Sequence, residues 1–214
     1  MKRHAAFLAA MLVLPNFVFG QQISFTDGWK EQRFSMFSSN EFTLGGNTLG
    51  VKSDGTVSLL WRALPEVAWN SRAAQWNWAV DVSVPATDLT KKGGDDRNLS
   101  LYFLFLPEAA ARKAQDQGIR ALLDNPDVRV LIYVWGGAHA KGQVLPNPYL
   151  GPRGRTVVQQ GTGTGSASER VDLARDHQRA FGEAPASLVG LAVSSDSDDT
   201  SSAVVARISG LQVN

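Results

Sequence analysis

The chain contains no cysteine among its 214 residues. That absence removes thiol nucleophiles, thiolate metal centres, redox couples and disulfide staples together. It also removes a lipid-anchored form, because no cysteine follows the apolar stretch near the N-terminus. Histidine is almost as scarce, with three residues. Only His139 and His177 lie beyond the first twenty positions, too few for a three-histidine zinc site within one chain. Charge of either sign is not in excess: 21 basic residues stand against 20 acidic ones. The basic residues are scattered, which excludes the footprint of a nucleic-acid binder and that of a polybasic membrane patch. A Gly-x-Ser-x-Gly nucleophile elbow is missing as well. Gly161-Thr162-Gly163-Thr164-Gly165 lacks the Gly-Lys-Ser/Thr of a phosphate loop and is not Gly-x-Gly-x-x-Gly, so it reads as a plain loop.

Long hydrophobic runs are missing too. The longest, Ala5 to Leu14, is broken off by Pro15 and Asn16, well short of the roughly 20 residues that span a bilayer. It follows Lys2 and Arg3 and ends at Val18, Phe19 and Gly20, the basic, apolar, small-residue order of a signal peptide cut after Gly20. The expectation is export, to the periplasm or beyond, of a single domain over residues 21–214. With Lys2 and Arg3 gone, 19 basic residues face 20 acidic ones. A chain of this size buries a core without staples.

What is abundant is period-two patterning. In Trp76-Asn77-Trp78-Ala79-Val80-Asp81-Val82-Ser83-Val84 the even positions are large and apolar and the odd ones small or polar. This is a half-buried strand, ended by Pro85. Val57–Arg62 alternates similarly. Leu99–Leu106 and Val128–Trp135 are apolar on both faces, as central strands are. Further strands are expected at Thr156–Gln159, Leu188–Val193 and Ala203–Ile208, with weaker ones around Phe34–Phe37, Glu41–Leu44 and Thr48–Lys52. Turns rich in Gly, Asp and Asn separate them, among them Gly45-Gly46-Asn47, Ser53-Asp54-Gly55 and Lys92-Gly93-Gly94-Asp95.

Two segments read as helices. Pro107-Glu108 opens Ala109–Leu123, whose stripe is Ala111, Ala114, Gly118 and Leu122, widened by Ile119 and Leu123. Val171–Phe181 is closed by Gly182 and Pro185. Two helices do not supply βαβ alternation. The expected fold is therefore mainly β: a jelly-roll-like antiparallel β-sandwich with two short helical insertions.

Three kinds of chemistry merit weighing. Asp196-Ser197-Asp198-Asp199-Thr200 alternates oxygen side chains, and Asp196, Asp198 and Asp199 are candidate ligands for a cation such as calcium. It is no EF-hand, since Ser201 and Arg207 replace the glycine and glutamate of that loop. Otherwise no cofactor is expected. Asp95-Asp96 is a second acidic pair, equally suited to a turn entering a strand. Carboxylates for glycoside hydrolysis are available at Asp81, Glu169, Asp172 and Asp176. The six tryptophans are either core residues or platforms for sugar rings, with Trp69 and Trp135 the best placed for the second role.

The order of several short motifs resembles the bacterial domain-of-unknown-function family numbered 3047, over nearly all of the chain beyond residue 20. Its carriers are Trp76-Asn77-Trp78, Asp95-Asp96-Arg97 leading into Leu101-Tyr102-Phe103, Tyr133-Val134-Trp135 and Asn147-Pro148-Tyr149. Asp172, Asp176, Phe181-Gly182, Pro185 and Asp196-Ser197-Asp198-Asp199-Thr200 complete it. The family usually has arginine directly before the first of these aspartates and tyrosine directly after the second. Here Val171 and His177 stand in those places. The resemblance implies an exported protein and lends no activity.

Strand alternation suggests one binding surface. If Val80, Val82 and Val84 face the core, Asp81 faces away. Arg129, Tyr133 and Trp135 share one face of their strand, with Arg97 and Tyr102 assigned to the same side. Should these strands be neighbours, Asp81, Arg97, Tyr102, Arg129, Tyr133 and Trp135 form a polar–aromatic surface fit for carbohydrate. The first functional expectation is thus a glycan-binding envelope module. A glycan-cleaving hydrolase or lyase on the same scaffold is the second, and a structural or partner-binding envelope protein the third.

Overall fold

The computed structural model describes residues 20–214. The expected signal peptide, apart from Gly20, lies outside the described residues. Two sheets face each other. The first joins β11 (Gly165–Asp172), β6 (Ala73–Val82), β13 (Ala203–Val213), β4 (Thr48–Asp54) and β3 (Glu41–Gly45) in that order. The short β1 (Gln21–Gln22) also pairs with β13. The second sheet runs β2 (Lys30–Arg33), β5 (Val57–Ala63), β12 (Ser187–Asp196), β7 (Arg97–Leu106), β8 (Arg129–Trp135), β10 (Gly151–Gln160) and β9 (Val144–Asn147). The β-sandwich expected from alternation is present. It is antiparallel except where β10 runs parallel to β8.

The core between the sheets is built from alternate residues. Trp76, Trp78 and Val80 of β6 meet Leu99, Leu101, Phe103 and Phe105 of β7 and Leu131, Tyr133 and Trp135 of β8. Trp76 sits 5.4 Å from Trp78 and 5.6 Å from Tyr133, ring centre to ring centre, in edge-on and tilted arrangements. The opposite face of the second sheet carries its own apolar layer of Leu59, Trp61, Leu104, Leu106, Val130, Ile132 and Val134. Double coverage explains why β7 and β8 read as continuous apolar runs.

That second layer is covered by the segment expected to form one helix over Ala109–Leu123. It forms two, α1 (Glu108–Lys113) and α2 (Ile119–Asp124). Gly118 stands at the break, where a helical glycine costs about 1 kcal/mol relative to alanine. Breaking there still lets Ala111, Ala114, Ile119 and Leu122 all be buried on the sheet. The other expected helix is α3 (Leu173–Phe181). It starts two residues later than expected because Asp172 ends β11 and caps the helix, accepting from the Arg175 amide at 2.9 Å. Gly182 closes it in the left-handed conformation, φ 76°.

Three expectations need correction. Phe34–Phe37 is no strand: Phe34, Met36 and Phe37 project into solvent from a bend after β2. Val82 does not face the core. Between Val80 and Val82 β6 spends two residues against one on β13, a bulge that breaks the alternation and leaves Val82 exposed. Trp69 and Trp135 are no platforms: both are buried, with their indole N–H groups donating to the Leu64 and Gly163 carbonyls. No helix among the described residues is long and apolar enough to cross a membrane.

Candidate ligand cleft

Part of the second sheet's outer face is left open beside the helices. Here lies a cleft of about 380 Å³. Its floor is Val57 and Leu59 of β5, Ser194 and Asp196 of β12, Arg97 and Tyr102 of β7 and Ile132 of β8. Its walls come from Phe34, from Leu123 of α2, from Asn147 at the end of β9 with Tyr149 and Leu150 in the turn to β10, and from Asp198 and Asp199 after β12.

Strand parity alone would turn Arg97 away from Tyr102. It does not, because from Ser194 to Asp196 β12 advances two residues while β7 advances three, from Ser100 back to Arg97. The extra residue flips the side-chain direction at the strand's start. Arg97 therefore donates from Nη2 to the Tyr102 hydroxyl at 3.1 Å and from Nε to Ser100 Oγ at 2.7 Å. Its Nη1 is shared between Asp95 Oδ2 at 2.7 Å and Asp196 Oδ2 at 3.0 Å. Gly136 keeps it there. That residue has φ 147°, and a Cβ on it would lie 2.9 Å from Arg97 Cα and Cβ. Only glycine lets β8 end so close to the backbone of Arg97.

Burial pulls the Arg97 pKa down, but the Tyr102 oxygen and the Asp196 and Asp95 carboxylates together raise it above the usual guanidinium range. Asp196 behaves oppositely. Burial lifts its carboxyl well above the usual carboxylate range, Arg97 offsets part of this, and the nearby Asp198 and Asp96 raise it further. Asp199 is also lifted, by burial and then by Asp198, Asp96 and Asp95. The cleft is thus lined by one cation, Arg97, and three carboxyl groups, Asp196, Asp198 and Asp199, with Asp95 and Asp96 buried beside them.

Tyr149 forms the aromatic rim. Asn147 accepts from the amides of Tyr149 and Leu150 at 3.1 and 2.9 Å, a turn that presents the ring half-exposed. Its hydroxyl donates to Asp95 Oδ1 at 3.0 Å. Phe34, also half-exposed, lines the cleft as well.

Of the six residues expected on one surface, only Arg97 and Tyr102 come together here. Asp81 belongs to the other sheet and makes an exposed ion pair with Arg207 at 2.6 Å. Tyr133 and Trp135 point into the inter-sheet core, because β8 turns that parity inward. Tyr133 donates to Asp176 at 2.9 Å. Arg129 pairs with Glu183 at 3.0 Å near the strand's start. The expected cation ligands also change. Carboxylate oxygens of Asp198 and Asp199 gather with one of Asp96, all within 4.8 Å of one another, while Asp196 is drawn to Arg97.

The other candidate acids are used structurally. Glu169 accepts from Gln160 at 2.6 Å, Asp172 caps α3, and Asp176 binds Tyr133 and Arg179. His177 is buried between Phe105 and Phe181, and burial lowers its pKa. His139 lies 3.4 Å from Asp88. Neither histidine lines the cleft. Asp95, Asp96, Asn147, Tyr149 and Phe34 were not expected in the site. Four of them belong to the two motifs Asp95-Asp96-Arg97 and Asn147-Pro148-Tyr149, and the family resemblance that these motifs carry was the available signal.

Fold and cleft define a two-sheet β-sandwich with an acidic, partly aromatic recess on the outer face of its larger sheet. The chain belongs to the family described as Protein of unknown function (DUF3047), whose model matches residues 27–212. No curated relative matches the chain. Among solved structures it is similar to a loop-swap mutant of Xyn11A from Necallimastix patriciarum, at 15% identity and TM-score 0.45, covering 94% of this chain and 97% of that one. It is also similar to the xyloglucanase domain of NopAA, a type three effector from Sinorhizobium fredii in complex with cellobiose, at 9% identity and TM-score 0.45, covering 91% and 97%. The family 11 xylanase from Neocallimastix patriciarum is a third, at 13% identity and TM-score 0.41, covering 92% and 99%. The sandwich described above rests on strand pairing, not on these likenesses.

Proposed function

We propose that the protein is exported and binds a neutral carbohydrate in this cleft. The observation that carries the reading is the lining: planar hydrogen-bonding groups of Arg97, Asp196, Asn147, Asp198 and Asp199 beside the half-exposed rings of Tyr149 and Phe34. Sugars offer this pairing, hydroxyls around the ring edge and an apolar C–H face. The excess of carboxyl groups disfavours uronates and other anionic sugars.

Binding of neutral oligosaccharides on a glycan array, followed by calorimetry, tests the site. Tyr149→Ala is expected to weaken affinity about tenfold or more, as loss of one stacking ring worth roughly 1.4 kcal/mol does. Tyr149 is half-exposed, so the variant keeps its fold. Equal affinity of the two proteins, or no binding by the wild type, would count against the cleft. Export is checked separately by sequencing the N-terminus of protein from the envelope fraction. Gln21 is the expected first residue, and a retained Met1 on cytoplasmic protein rejects it.

Glycoside hydrolysis is the second reading, favoured by the lifted Asp196 carboxyl, which would donate a proton at neutral pH. Against it, Asp196 and Asp198 lie within hydrogen-bonding reach of each other. Acid and nucleophile of a retaining enzyme stand about 5 Å apart, and those of an inverting enzyme further. Release of reducing ends from a bound oligosaccharide would decide for hydrolysis.

A further inference from the structure

We propose that Asp96, Asp198 and Asp199, with Asp196 beside them, form a binding site for a calcium-like divalent cation at the acidic end of the cleft. The site stands independently of the carbohydrate reading.

The first support is spacing. One oxygen from each of Asp96, Asp198 and Asp199 lies within 4.8 Å of the other two. Calcium holds oxygens at about 2.3–2.6 Å, so ligands on opposite sides of it lie up to roughly 5 Å apart. The three oxygens fit one coordination shell. Their positions are set by backbone, not chance. Asp96 Oδ2 accepts from the Thr200 amide at 2.7 Å and from the Thr200 hydroxyl, which fixes the turn carrying Asp198 and Asp199 against the start of β7. Asp96 Oδ1 is engaged only weakly, by the Asp199 amide at 3.4 Å, and stays available.

The second support is an orphan. Asp196 is 5% exposed, and its Oδ1 has no hydrogen-bond partner among the described residues. Its other oxygen accepts from Arg97 at 3.0 Å. The Asp196 carboxyl lies within hydrogen-bonding reach of the Asp198 carboxyl. The buried Asp196 oxygen thus has no protein N–H beside it, and the Asp198 carboxyl next to it is exposed. A buried acceptor left unpaired is costly, and a cation between the two carboxyl groups relieves it, as a proton on Asp196 does in the ion's absence. Arg97 does not serve, because its N–H groups are directed at Ser100, Tyr102, Asp95 and one oxygen of Asp196. Lys91 is engaged elsewhere, 3.4 Å from Asp88.

A cation here would be held by three carboxylates, with Asp196 Oδ1 as a fourth donor or as acceptor for a coordinated water. The remaining positions open into the cleft, where water or a ligand hydroxyl completes the shell. Oxygen-only donors and no nitrogen or sulfur select a hard ion over zinc or copper.

The experiment titrates calcium chloride into the full-length mature protein after chelator treatment and dialysis, followed by calorimetry and by melting temperature. One site per chain is expected. Tm should rise by roughly 5 °C or more when calcium exceeds Kd about a hundredfold. Asp199→Asn, at an exposed position, should fold normally and lose affinity at least tenfold. Absence of heat together with an unchanged Tm in the wild type overturns the proposal. So does a wild-type response that Asp199→Asn and Asp198→Asn both retain in full, since the ion would then bind elsewhere.

Discussion

Arg97→Ala is expected to cost about 3–5 kcal/mol of unfolding free energy, the range seen when one partner of a buried ion pair is removed. The arginine is 8% exposed and ties together Ser100, Tyr102, Asp95 and Asp196. Removing it leaves two buried acceptors without a counter-charge. Asp196 relieves part of this by taking up a proton, so the loss should be smaller in acid and should grow as pH rises. Arg97→Lys restores the charge but not the forked geometry that reaches four partners, and should recover only part of the stability. Urea unfolding with an unchanged m-value measures these differences. A loss below about 1 kcal/mol for Arg97→Ala would mean that the network is solvated and that the cleft is not organised around it.

The second large effect lies in the inter-sheet core. Trp76→Ala should cost about 3–5 kcal/mol, the usual range for an aromatic-to-alanine cavity. Trp76 is 1% exposed and is ringed by Trp78, Phe103 and Tyr133. Six residues along the same strand, Val82→Ala should change stability by no more than about 0.5 kcal/mol, because the bulge has already turned that side chain outward. From sequence alone both positions look like core. Similar losses in the two variants would contradict the bulge.

That contrast marks the limit of sequence reading here. Period-two alternation located β6 and the longer strands of the second sheet, since half-buried pleats impose it directly. It missed β11, whose Ser166, Ala167, Ser168 and Glu169 make an edge strand with little apolar content. It also could not assign faces. β7 and β8 are covered on both sides, so no pattern distinguishes the core face from the cleft face. Arg97 and Tyr102 have opposite parity, and only the irregular pairing of β7 with β12 turns them to the same side. Asp81 went astray because sheet membership depends on distant partners: β6 pairs with β11 and β13 in the first sheet, and β7 belongs to the second. What local sequence did carry was the acidic turn after β12. Its third oxygen donor, Asp96, comes from a hundred residues earlier in the chain and is brought in by a strand pairing that nothing local announces.

The position of β13 in the six-stranded sheet governs when the molecule can fold. β13 pairs with β6 on one side, with β4 on the other and with β1 at its end. A polypeptide made from its amino end onward therefore has β1, β4 and β6 waiting for a centre strand that is synthesised last among them. Pairings of such long sequence separation form slowly, and incomplete chains cannot shortcut them. Until residues 203–213 emerge, the inner faces of β4 and β6, with Trp76 and Trp78, have no closed sheet to pack within. The unfinished chain has not closed its first sheet, a state that agrees with the export proposed above. It is also sticky in that interval, so deletion of the last dozen residues should leave an insoluble product instead of a smaller domain.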